Sequence, residues 1–348
     1  MSDKHRHGDK RRPRPEEKKG SHKRERRAIA IILLILITLG GLATVALNFG
    51  EVGEFAQQAA RARPRWLLLA VGAQICAFLI QSLVWWIVLH KLGARKSLAD
   101  LFALSIGKMF ADQAVPSAGI SGAFFLLHAL GGRGVPREEA FTVFIFGAVS
   151  FITAFLIAAA ASFAYIAFAG GDGAFRTTEM AALTALAVLL VVILIVFLFL
   201  RIGLTRRLLM RVKPVGRFLE LAHIAATRIG EAKWLFVFCV LLQLVARTFD
   251  GATLWIAFFA IGEQTPLLSS LIGVSIASAA ATAAPTPMGI GTFEAGLIAS
   301  LTALGISVES ALTTTLLYRG LSLWAPLGIG FFLVQRELLR RRQLAEHH

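Results

Sequence analysis

Lys108 and Asp112, Arg247 and Asp250, Glu294 and Arg319 are ionisable residues set inside long apolar stretches of this 348-residue chain. A charge at that depth in an apolar segment is costly, and it is kept for a function or for a partner. Spacing assigns partners to four of the six. Lys108 and Asp112 are four apart and Arg247 and Asp250 three apart, so on a helix each pair shares a face and can neutralise itself. Arg319 has no acid at such a spacing; Glu294, Asp250 or a bound phosphate would serve it. Glu294 belongs to the stretch ATAAPTPMGIGTFEAG at 281–296, where Pro285, Pro287, Gly289 and Gly291 forbid a regular helix. A helix restarting near Thr292 would turn the amides of 289–293 and a positive dipole end toward an anionic group such as phosphate. Glu294, in that first turn, would either complement the dipole or join the chemistry.

Enzymatic constellations are not legible. There is no HExxH, GxSxG, Walker loop, CxxC pair or acidic metal motif, and the Gly-Ile-Gly run is not followed by Lys-Ser/Thr. Cys76 and Cys239 lie in apolar runs and give neither a disulfide framework nor a metal site. His90 and His128 are single and near the ends of apolar runs. The sequence therefore predicts no catalytic residue, no metal and no cofactor.

The elements that must hold these charges are membrane helices. The chain is 56% hydrophobic and 16% charged, with mean hydropathy +0.70. Six runs reach the roughly 20 apolar residues that cross a bilayer: 28–47, 66–90, 140–169, 180–200, 234–261 and 310–334. The expected class is an all-α polytopic bundle. Its net charge of +15 sits in a disordered tail (1–27), the stretch 201–233 and a basic C-terminus (337–348), all beside apolar runs. That is a cytoplasmic topology signal with some attraction to anionic headgroups, without any nucleic-acid motif. No cleavage signal follows Leu47, so the first run reads as an uncleaved anchor.

Two further apolar segments, 98–130 and 267–304, break in the middle, the first at Pro116, Gly119 and Gly122. If each returns to the side it entered, Arg95, Lys96, Arg133, Arg137 and the 201–233 stretch all fall inside, as the positive-inside rule demands. The expectation is six full spans plus two re-entrant broken-helix hairpins, with both termini cytoplasmic. Arg61, Arg63 and Arg65 then fall outside, against the rule. The two segments also match each other. Leu98, Ser105, Ala111, Gly119, Ile120 and Glu139 meet Leu268, Ser275, Ala281, Gly289, Ile290 and Glu309 at an offset of 170 positions. An odd number of crossings between the units (about 66–150 and 234–320) would invert the second, placing a transporter-type site near the midplane. A plain bundle with kinked helices is the alternative.

The run PTPMGIGTFE at 285–294, followed by Leu304-Gly305, Leu317-Tyr318-Arg319, Pro326 and Gly328, resembles the membrane domain of the lysylphosphatidylglycerol synthase family. VPSAGISG at 115–122 is similar to that family's first signature, and the likeness covers roughly residues 28–336. In two-domain members of the family this half is held to flip an aminoacylated phospholipid made by a separate soluble domain. With the chain ending at His348, the resemblance implies a stand-alone flippase-like protein of the bacterial inner membrane. Its partners would be a lipid with an anionic headgroup and a separate lipid-synthesis enzyme. Pro285, Pro287, Gly289 and Gly291 would shape the hairpin, its amides hold the phosphate, and Arg319 counter the charge. Glu294 would meet a cationic part of the headgroup or carry a coupling proton. Asp112, Pro116 and Gly119 would form the opposite gate, with Arg247 and Asp250 alongside. Family members commonly follow the first break with an acid and an arginine, whereas this chain has GAFFLLH at 122–128. The alternatives are a membrane-embedded transferase with Glu294 or Asp250 as general base, and a non-transporting partner of a lipid-synthesis complex.

Overall fold

Apolar runs free of proline satisfy every backbone amide internally, which is the condition for crossing a bilayer as a helix. The computed structural model describes residues 60, 62–114, 119–169, 231–283 and 286–346. The expected spans 28–47 and 180–200, Arg61, Pro116, Pro285 and nearly all of the basic stretch 201–233 lie outside the described residues. No strand occurs among those described. The helices are α1 (Pro64–Lys91), α2 (Leu98–Ala114), α3 (Ile120–Gly131), α4 (Arg137–Ala169), α5 (Lys233–Ile261), α6 (Leu267–Ala283), α7 (Thr292–Ala303), α8 (Val308–Arg319) and α9 (Ala325–Glu346).

Among the described residues, four helical stretches are long and apolar enough to cross a membrane: α1, α4, α5 and the continuous run Val308–Glu337. Their outer surfaces keep Leu68, Ile75, Phe238, Leu241 and Phe332 exposed, a belt that suits lipid and would associate in water. The last run, expected as one plain span, carries a π-turn over Gly320–Trp324 that joins α8 to α9. The basic C-terminus expected after 336 continues this helix to Glu346.

Both broken segments fold back on themselves. Ser121 Oγ on α3 donates to the Ala111 carbonyl on α2 at 2.7 Å, close to the turn between them. In the second segment, Gly296 of α7 lies against Ala277 and Ala280 of α6. The paired helices are 17 and 12 residues long in each case, about 25 and 18 Å at 1.5 Å per residue. Neither reaches the ~30 Å of a hydrocarbon core.

The two units repeat in three dimensions. Lengths of 28, 17 and 12 residues in α1–α3 answer 29, 17 and 12 in α5–α7. Left-handed glycines recur at matching turns, Gly93 with Gly262, Gly119 with Gly291, and Gly134 with Gly305. The equivalent helices α1 and α5 form the most extensive contact among the described helices and run antiparallel. Gln74 bonds Asp250 and, seven residues on, Gln81 bonds Gln243, seven residues back. The packing is reciprocal: α9 of the second unit covers α2, and α4 of the first covers α6.

Arg63, without an account in the sequence, donates its backbone amide to the Ala260 carbonyl at 2.9 Å. Its guanidinium lies beside Gly262, at the negative end of the α5 dipole. A bond that sequence reasoning missed joins the base of the first hairpin to α9. Arg133 clamps Glu337 through both carboxylate oxygens at 2.8 and 2.9 Å, the side chains being 10% and 11% exposed. Arg133→Ala removes both of these bonds from a largely buried carboxylate and is expected to cost about 3–5 kcal/mol. Thermal unfolding in detergent should show the loss, and Arg133→Leu with Glu337→Leu should recover most of it.

Candidate functional site

The tip of the second hairpin owes its shape to backbone geometry. After α6 the chain makes a 3-10 turn over Pro287–Gly289, Met288 standing at φ 58, followed by Gly289 at 65 and Gly291 at 82. Left-handed backbone costs a non-glycine residue about 1–2 kcal/mol, and at Met288 that conformation aims the carbonyl into the protein. Its side chain is buried in one apolar cluster with Phe110, Ala111 and Ala114 of α2, so the second tip rests on the first hairpin. α7 begins at Thr292, as the sequence predicts.

Glu294 bridges two donors. One carboxylate oxygen accepts the Gly291 amide at 2.7 Å, and the other is paired with Nε of Arg319. The Gly291 amide, expected to face a phosphate, is thus held by Glu294. Arg319 Nη2 donates to the Met288 carbonyl at 3.1 Å, and the guanidinium carbon lies 4.9 Å from the centre of the Phe293 ring. Phe293 in turn stacks on Tyr318. The π-turn begins one residue after Arg319; such turns recur at functional sites because they re-aim side chains without ending a helix. Of the two carboxylates left open for Arg319, Glu294 is the one it pairs with.

Asp112 repeats the device at the first break. Its Oδ1 accepts the Gly122 amide at 2.8 Å and its Oδ2 pairs with Lys108 Nζ at 2.6 Å. Gly119 caps α3 at φ 85. The charge absent from 122–128 is therefore supplied from α2.

Arg247 and Asp250 form a separate group on the α1–α5 contact. They are 3.7 Å apart, a loose pair supplemented by Gln74 at 3.4 Å from Asp250. The Arg247 guanidinium lies on Phe151 and Phe155 of α4, 4.4 and 5.7 Å from the ring centres. Sequence reasoning passed over Gln74, Phe293, Tyr318 and the Met288 carbonyl. The signals available were a glutamine in an apolar run and aromatics adjoining the two charged residues.

Long apolar helices, two folded-back hairpins and carboxylate–cation pairs at both breaks define a polytopic helical membrane protein with a polar centre. Residues 28–330 match the family described as lysylphosphatidylglycerol synthase TM region, and the chain belongs to that family. It is also 21% identical over 338 residues to a UPF0104 membrane protein of Methanocaldococcus jannaschii, covering 90% of this chain and 96% of that one.

Proposed function

We propose that the protein moves a polar-headed lipid across a bacterial inner membrane. In this reading six spans carry two re-entrant hairpins in an inverted repeat, with both termini cytoplasmic. The observation that carries it is the Arg319–Glu294 pair, held between the second tip and α8. Arg319 lies eleven residues into α8, about 16 Å at 1.5 Å per residue, close to half of a ~30 Å hydrocarbon core. A buried pair of that kind stabilises a fold little compared with apolar side chains of the same volume, which favours a functional reason for it.

Phosphate offers a guanidinium the same two-pronged acceptor as a carboxylate. A lipid phosphate arriving at the tip takes the place of Glu294 on Arg319, while Glu294 stays tethered to the Gly291 amide. The Gly320–Trp324 π-turn lets Arg319 follow the headgroup, and rocking of one unit against the other changes the side to which it opens. A separate lipid-synthesis enzyme would supply the substrate.

Reconstitution tests this. Vesicles with fluorescent phospholipid lose only outer-leaflet signal to external dithionite unless lipid crosses the bilayer. Those holding the protein are expected to lose inner-leaflet signal as well. Protection equal to protein-free vesicles, persisting when native lipid extract is included, would overturn lipid movement and favour the non-transporting partner.

A further inference from the structure

Arg319 is not the cation of this site that lies most open. Its side chain is 8% exposed and engaged on both sides, whereas Lys108 is 28% exposed. Lys108 lies ten residues into α2, about 15 Å along the helix, so it too falls near the midplane of a ~30 Å core. A partly exposed lysine side chain at that depth is costly unless it faces a wet cavity or a ligand.

Among the described residues its partner is Asp112, which takes one of three N–H donors. Both oxygens of that carboxylate are engaged. Its other oxygen holds the Gly122 amide, and it packs so closely on Gly122 that a Cβ there would fall on it. Asp112 is fixed, while the ammonium, on a flexible four-carbon stem with two donors to spare, can turn to an incoming oxyanion. The parallel with the second hairpin is close. In both, one carboxylate joins an amide in the first turn of the second helix, at the N-cap Gly291 or the third residue Gly122, to a cation.

We infer that Lys108 is a second oxyanion-binding residue, holding the phosphate of a lipid headgroup at the first hairpin while Arg319 remains locked to Glu294. This rests on the lipid-moving reading for its purpose, though not for its test. The purified full-length protein is treated with an amine-reactive acylating reagent, and Lys108 modification is followed by peptide mass spectrometry. Dihexanoylphosphatidylglycerol is expected to slow that modification about tenfold, as a charge-assisted hydrogen bond implies, and dioctanoylglycerol to leave it unchanged. Equal protection by inorganic phosphate would overturn the lipid assignment. Unchanged reactivity with saturating lipid would overturn the site.

In parallel, calorimetric affinity for the same lipid should fall about tenfold in Lys108→Gln with Asp112→Asn, where no carboxylate is stranded, and should hold in Lys108→Arg. Parent-like affinity in the folded double variant would contradict the inference. Protection of Lys108 in a protein that flips no lipid would overturn the proposed function alone. Flipping with Lys108 unprotected would overturn this site alone.

Discussion

Arg319→Gln is expected to lower stability by about 3–5 kcal/mol, because it takes the counter-charge from the largely buried Glu294 carboxylate and leaves it the bond from the Gly291 amide. The Met288 carbonyl loses its donor as well. Glu294→Gln strands the guanidinium in the same way, although its contacts with Met288 and Phe293 remain, so its loss should be smaller. Replacing both residues by glutamine removes the charges as a unit, and more than half of the loss in thermal midpoint should return. If the pair were only structural, the double variant would work as well as it folds. If it holds a headgroup, the double variant folds and does not transport.

A further large effect is expected at a glycine. Gly122→Ala puts a methyl group where the Asp112 carboxylate now sits. Asp112 must move, and with it go the bond to the Gly122 amide and the placement of Lys108. Overpacking and one lost charge-assisted bond together amount to about 3 kcal/mol. Gly291→Ala meets nothing within 4 Å, but its φ of 82 is unfavourable for alanine, a cost of about 1–2 kcal/mol. Thermal midpoints of the two variants should therefore rank Gly122→Ala as the worse. The opposite order would mean that Asp112 moves aside at little cost.

Much of this was legible beforehand because membrane helices leave plain marks. Hydropathy located α1, α4, α5 and the last span, and Pro and Gly located both breaks. Arg319 pointed outside its own helix for a partner because no acid lay a turn away, and Glu294 was among the three choices. Other features left no local trace. Arg133 and Glu337 are 204 positions apart, and Glu337 stood in what read as a basic tail. Met288 takes a left-handed conformation usually left to glycine, so nothing marked its carbonyl as the acceptor of Arg319. Asp112 lies ten residues from the amide it holds; that contact exists only because the hairpin folds back. The π-turn after Arg319 lies just before Pro326, whose missing amide and ring disturb the turn that precedes it, but proline alone does not say that the helix widens there instead of ending.

The measurement that tests the central claim most directly is the dithionite assay run side by side on the parent and on Glu294→Gln with Arg319→Gln, at equal protein per vesicle. Rapid loss of inner-leaflet fluorescence with the parent, and protection like that of protein-free vesicles with the folded double variant, is the result this account predicts. Equal loss in both would contradict it, by showing that lipid crosses without the charged pair at the second hairpin.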